Sequence, residues 1–220
     1  MPESPRIVYS RDFWAEENTK YVRPHLRMRK VARLVNRIAA GREVRLLDVG
    51  CGPATLERLL APGIRYYGID IAIHEPAPNL KQSDILREPI SSDGAPFDLI
   101  VAEGLFEYLA DQESRKFAEI ADLLTPSGKF IVTYVNFDHR RPNYYWPYSN
   151  IQSSAEFRAA LAEHFLVERQ LPTAYNWNHS EPGRWSVRES NMYVNVRIPF
   201  FTRWLGVEYL YICRPRIRGN

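Results

Sequence analysis

A chain of 220 residues is long enough to bury one substantial core and short for two domains. Its formal charge of +3 is too small to imply nucleic acid, and no apolar run reaches membrane-spanning length. The two cysteines, Cys51 and Cys213, fall in core or motif positions rather than in a disulfide framework. With no apolar signal core after Met1, the expected location is cytoplasmic.

In chain order, residues 1–43 precede the sheet. Tyr9 to Lys20 is polar and aromatic, and Tyr21 to Ala40 carries a helical period in Leu26, Val31, Leu34, Val35 and Ile38, with Gly41 as a C-cap. Arg23, Arg27, Arg29, Lys30 and Arg33 read as a solvated face. Phe13, Trp14 and Tyr21 either pack or touch a ligand. Val44 to Val49 is a short buried strand, followed by a glycine turn at Gly50 and Gly52 and a helix expected to start near Pro53. About twenty residues on, Arg65 to Asp70 is a second strand that ends in a carboxylate, placed to accept from a ribose diol. Ile71 to Asn79 is too short and proline-rich for a full crossover helix, and Asn79 to Asp84 reads as the third strand.

The ligand on the glycine turn can be argued from charge. A dinucleotide would place its pyrophosphate there, but Asp48 stands two residues before Gly50 and Thr55 replaces a third glycine. A carboxylate repels a pyrophosphate and favours a cation, so S-adenosylmethionine, with a sulfonium, an ammonium and no phosphate, fits better than NAD.

Leu46-Leu-Asp-Val-Gly-Cys-Gly52 resembles motif I of the class I S-adenosylmethionine-dependent methyltransferases. Further blocks follow in that family's order: Tyr67 to Asp70, Gln82 to Ile85, Phe97 to Leu109, and Leu123 to Val132. The resemblance covers about residues 44–135. It implies an α/β fold: a doubly wound, mostly parallel seven-stranded sheet (Rossmann-like methyltransferase fold) with an N-terminal helical cap. It also implies S-adenosyl-L-methionine as cofactor, held by Asp48, Gly50, Cys51, Gly52, Asp70, Ile71, Asp84, Ile85, Glu103 and Gly104. In the family, an acid at the position of Asp84 meets the adenine amino group, and the next residue packs on the ring. A single domain is expected over residues 1–220, with a cap at 1–43, a cofactor core at 44–135 and acceptor-side loops and last strands at 136–220.

Phe97 to Ala102 reads as a buried parallel strand ending at Glu103-Gly104, the usual ligand edge of such sheets. Glu107-Tyr108 stands where many relatives carry Glu-His, which removes an obvious imidazole base. Asp111 to Leu124 has a helical period, and Lys129 to Val135 is the fifth strand. Asn136 to Ser149 interleaves aromatic and polar residues just after that strand, which suits either an acceptor pocket or structural packing. Ser153 to Glu156 is a capping-box start to a helix, Phe165 to Leu171 a sixth strand, and Val207 to Cys213 a seventh, which the family inserts antiparallel. Tyr175 to Trp204 is longer than a connection needs.

Positioning supplies most of the rate of methyl transfer. An oxygen acceptor also needs a base, for which His139 and Glu107 are the candidates, whereas an amine need only arrive unprotonated. Tyr21, Tyr108, Tyr134, Asn136 and Tyr144 are the expected acceptor lining. No His/Cys/Asp cluster has metal-ligand spacing, so no metal is expected. The expected acceptor is a small polar metabolite with a hydroxyl, such as a sugar or natural-product-like molecule, with an amine or amino sugar as the alternative. No nucleic-acid or membrane partner is expected, and the chain is expected to be a monomer or homodimer. A nicotinamide-dependent reductase, an aminopropyltransferase and a non-catalytic S-adenosylmethionine-binding partner protein are the competing classes.

Overall fold

The computed structural model describes residues 10–139, 149–175 and 206–216. Seven strands form one sheet in the order β3-β2-β1-β4-β5-β7-β6. They are β1 (Val44–Val49), β2 (Ile64–Asp70), β3 (Leu80–Gln82), β4 (Phe97–Ala102), β5 (Leu124–Val135), β6 (Phe165–Tyr175) and β7 (Gly206–Pro215). The helices are α1 (Arg11–Asn18), α2 (Leu26–Ala39), α3 (Glu113–Leu123) and α4 (Ser154–His164). Strands β1 to β5 pair in parallel, while β7 runs antiparallel between β5 and β6. This is the doubly wound methyltransferase sheet that the sequence led one to expect.

Alternation along the strands divides the core between two faces. Leu47, Ile100, Phe130, Val132 and Tyr211 pack under α3 and α4 through Phe117, Ile120, Phe157 and Leu161. Leu46, Leu99, Val101, Ile131 and Leu210 pack under α2 through Met28, Val31, Ala32 and Val35. Burying each of the larger α2 side chains stabilises by roughly 1.5–3 kcal/mol, so a charge at Val31 would lift the helix off the sheet. His25 caps α2 with its imidazole Nδ1, which accepts from Met28 N–H at 3.2 Å, and Ala40 closes it in the left-handed region one residue before the expected Gly41. On α4 the capping box forms as expected, with Ser153 and Glu156 exchanging bonds.

The expected helix after the glycine turn is absent. Residues 53–60 form turns and a 3₁₀ helix, Glu57–Leu59. Bonds from Ala54, Glu57, Leu59 and Leu60 reach back three residues, and Ala54 sits at φ 53°, which breaks any α-helical run. On that face of the sheet α2 supplies the packing. The crossover after Asp70 is a turn, as expected. Strand β5 begins earlier than expected, at Leu124, pairs there with Phe97, and regains register only at Lys129 opposite Leu99.

Candidate functional site

Parallel pairing brings three ligand-edge residues together. Val49 lies opposite both Ile69 and Ala102, so Gly50, Asp70 and Glu103 all emerge at the carboxyl edge of β1, β2 and β4, where the chain crosses from one face to the other. A cleft of about 1050 Å³, its open mouth included, opens there. Of the residues the sequence singles out, Asp48, Gly50, Cys51, Gly52, Asp70, Ile71, Asp84, Ile85, Glu103, Gly104, Tyr21 and Tyr108 line it. The cap contributes Trp14, Asn18 and His25, and Trp14 meets Tyr108 edge-on at 5.0 Å.

The glycine turn is tied to the end of β2. Asp70 Oδ2 accepts from Gly52 N–H at 2.8 Å, and Oδ1 accepts from Ala72 N–H at 2.8 Å and the Asn18 amide at 3.2 Å. Gly52 has φ +52°, and a Cβ there would come within 3.2 Å of Asn18 Oδ1. The turn therefore requires glycine for its conformation and for the approach of α1. A carboxylate offers about four lone-pair sites, so Asp70 retains capacity for one more donor. Its pKa is raised by burial, against the pull of the Ala72, Gly52 and Asn18 donors.

Asp48 is buried in the lining, where its Oδ2 accepts from Tyr66 Oη–H at 2.8 Å. Burial pushes its pKa up to about 7; the Tyr66 bond opposes this, and the charges of Glu103 and Asp70 reinforce it. Burial also raises Glu103, countered by Arg27. Cys51 is a neutral thiol, since burial pushes its pKa well up. Clustered buried carboxylates with raised pKa values suit a ligand that brings positive charge and hydroxyl donors, and they oppose a pyrophosphate. The residues present thus fit S-adenosylmethionine.

Arg27 overturns the solvated reading of the α2 charges. Its Nε donates to Glu103 Oε1 at 2.8 Å and its Nη1 to Glu208 Oε2 at 2.6 Å. Burial works against its charge, yet Glu208 and Glu103 together hold its pKa well above the ordinary value. His25 Nε2 also lies 3.2 Å from Glu103 Oε1. Because Nδ1 accepts from Met28, the proton sits on Nε2. Burial, then Arg27, lowers the His25 pKa to about 4, so the imidazole is neutral. Lys30 is likewise engaged, donating to Thr173 O at 2.7 Å. The signal for Arg27 was present: it precedes Val31 and Val35 at four-residue spacing on the buried stripe.

Several expected acceptor-side residues lie elsewhere. Tyr134 is a core residue, 1% exposed, with its ring stacked on Phe157 at 3.8 Å; its hydroxyl donates to Asn150 O and accepts from Gln152 N–H. Asn136 is buried at the end of β5, accepting from Asp138 N–H at 3.3 Å, and is not part of the cleft wall. Glu107 also turns inward, with Oε1 accepting from Val135 N–H at 2.9 Å and Oε2 buried without a partner. Burial pushes its pKa up to about 7, a value suited to a base in a position that does not face the cleft. His139 closes the short 3₁₀ helix Phe137–His139, and Tyr144 lies outside the described residues, as do residues 176–205. No group of three or more metal-ligating side chains occurs among the described residues, and no described helix is long and apolar enough to cross a membrane.

A sheet of this order, with carboxylates and a glycine turn at its switch point, defines the class I S-adenosylmethionine-dependent methyltransferases. A family model described as a methyltransferase domain matches residues 22–171, and the chain belongs to that family. No curated protein matches the sequence.

Solved structures share the fold. One chain of a solved complex that contains the Haloferax volcanii Trm112 methyltransferase activator is 19% identical, with TM-score 0.64, covering 95% of this chain and 97% of that one. The 1,6-didemethyltoxoflavin-N1-methyltransferase of Burkholderia thailandensis is 16% identical, with TM-score 0.60, covering 94% and 86%. The N-methyltransferase NodS of Bradyrhizobium japonicum, in complex with S-adenosyl-L-homocysteine, is 14% identical, with TM-score 0.57, covering 93% and 99%.

Proposed function

We propose that the chain methylates a hydroxyl oxygen on a small polar metabolite, such as a sugar or natural-product-like molecule, within a single domain that spans residues 1–220. The observation that carries this reading is the cap: Trp14, Tyr21 and His25 wall a cleft that would seat a small ring with polar edges. The cofactor supplies a methyl group on a positively charged sulfur, open to in-line attack. Asp70 would accept from the ribose, Asp84 from the adenine amino group, and Ile71 and Ile85 would flank the ring. Asp48 would face the positively charged amino-acid end, beside the backbone of Gly50, Cys51, Gly52 and Gly104. Tyr108, against Trp14, would orient the acceptor. His139, just past the ligand edge of β5, is the residue proposed to take the hydroxyl proton.

A second reading is an amine acceptor. Asp48, Asp70 and Glu103 gather carboxylates in the cleft with Arg27 as the charged counterpart, and an amine needs no base. Incubation of the protein with methyl-labelled S-adenosylmethionine and a metabolite pool, followed by mass spectrometry of labelled products, decides between them. An O-methylated product whose formation slows about 10²–10⁴-fold in His139→Ala, with cofactor affinity unchanged, supports the first reading. An N-methylated product supports the second. We further propose a cytoplasmic monomer or homodimer with no nucleic-acid or membrane partner.

A further inference from the structure

The Arg27 cluster joins elements that the cofactor site alone does not require to be joined. Glu103 stands at the ligand edge of β4 and lines the cleft; Glu208 stands on β7 and does not. Both grip the same guanidinium from α2, and Thr173 on β6 fixes Glu208 in turn, donating from Oγ1 to Oε1 at 2.6 Å. Glu208 is 8% exposed and Thr173 1%, so the outer half of the cluster is buried. Space for the guanidinium is built in: Gly104 sits at φ +65°, and a Cβ there would lie 2.8 Å from Arg27 Nη2. A planar fork held by two carboxylates in different directions has one orientation, which a lysine point charge does not reproduce.

We infer that Glu208, with Thr173, is a positioning residue: it holds Arg27 across Gly104 so that α2 is latched to the sheet and bound ligand is retained in the cleft. The inference rests on membership of the S-adenosylmethionine-dependent class and not on the acceptor proposed above. Glu208 acts through Arg27, and two consequences follow. Its loss raises the rate at which ligand leaves, although it is not part of the cleft wall. That effect vanishes when Arg27 is already gone.

The probe is S-adenosylhomocysteine, and its dissociation is followed by stopped-flow fluorescence, with Trp14 in the cleft wall as a reporter. Glu208→Gln, which keeps shape, and Arg27→Met should each speed dissociation about tenfold or more, the loss expected for a buried charge-assisted bond. The double variant should be no faster than the quicker single one, and Arg27→Lys should not restore the slow rate. In the ligand-free protein, amide exchange in the first turns of α2 should rise in Glu208→Gln while α3 is unchanged, which tests the latch without any ligand. Dissociation within about twofold of the parent rate, effects that simply multiply in the double variant, or unchanged α2 exchange would each overturn the assignment.

Discussion

Replacing Asp48 by Asn should change how stability depends on pH, in a direction set by burial. In the folded chain the Asp48 pKa is pushed up to about 7 from an ordinary 3.8. Between those values the native state holds a proton that the unfolded state has shed, so stability falls as pH rises, by up to about 1.4 kcal/mol per pH unit. The penalty is absent below about pH 4 and complete above about pH 8, where a gap of roughly three units amounts to about 4 kcal/mol. The amide introduced by Asp48→Asn would still accept from Tyr66 and cannot ionise. The stability difference between Asp48→Asn and the parent, both without ligand, should therefore grow by about 2–3 kcal/mol in favour of the variant from pH 5 to pH 8. Urea unfolding across that range measures it. A cationic ligand beside Asp48 restores the ionised form, so S-adenosylmethionine should bind the parent more tightly as pH rises through 7 and the variant equally across the range. A stability difference that stays flat from pH 5 to pH 8 would refute the placement of a strained carboxyl at this position.

Asp70→Ala should weaken S-adenosylhomocysteine binding about tenfold or more by calorimetry, since it removes the anchor of the glycine turn together with the proposed ribose acceptor. Thermal-shift measurements should show stabilisation by S-adenosylhomocysteine and none by NAD or NADP at similar concentrations, because a pyrophosphate would meet Asp48. Tyr134→Phe leaves the Asn150 carbonyl and Gln152 N–H unpaired and should cost about 1–3 kcal/mol in urea unfolding, with cofactor affinity unchanged.

What was legible in the chain was local. Strand β4 runs from Phe97 to Ala102 as read, because a turn signal and an unbroken apolar run bound it on both sides, and the Ser153–Glu156 capping box is complete within four residues. The helix expected at Pro53 failed because a favourable first residue does not outweigh a left-handed Ala54. Arg27 was misread because its charge outweighed its place on the stripe of Val31 and Val35, and the carboxylates that neutralise it lie 76 and 181 residues away. Tyr134 was assigned to the acceptor by its chemistry, although alternation along β5 already placed it with Phe130 and Val132 on the α4 face. Of the cofactor-side candidates, Gly50, Asp70 and Glu103 follow from strand ends, which pattern does reveal, whereas Asp84 and Ile85 follow only from the resemblance to the family.

The position of β7 between β5 and β6 has a consequence during biosynthesis. The strand that supplies Glu208 is interior to the sheet, so β6 has no pairing partner, and Arg27 no second carboxylate, until residue 208 has been made. At about 5–20 residues per second, the 181 residues that separate Arg27 from Glu208 take roughly 10–40 s to synthesise. Throughout that interval α2 carries a cation destined for burial with at least one of its two anions still to come. A nascent chain stalled before residue 208 would therefore expose the inner edge of β5, and the second grip on Arg27 can form only once β7 has been made.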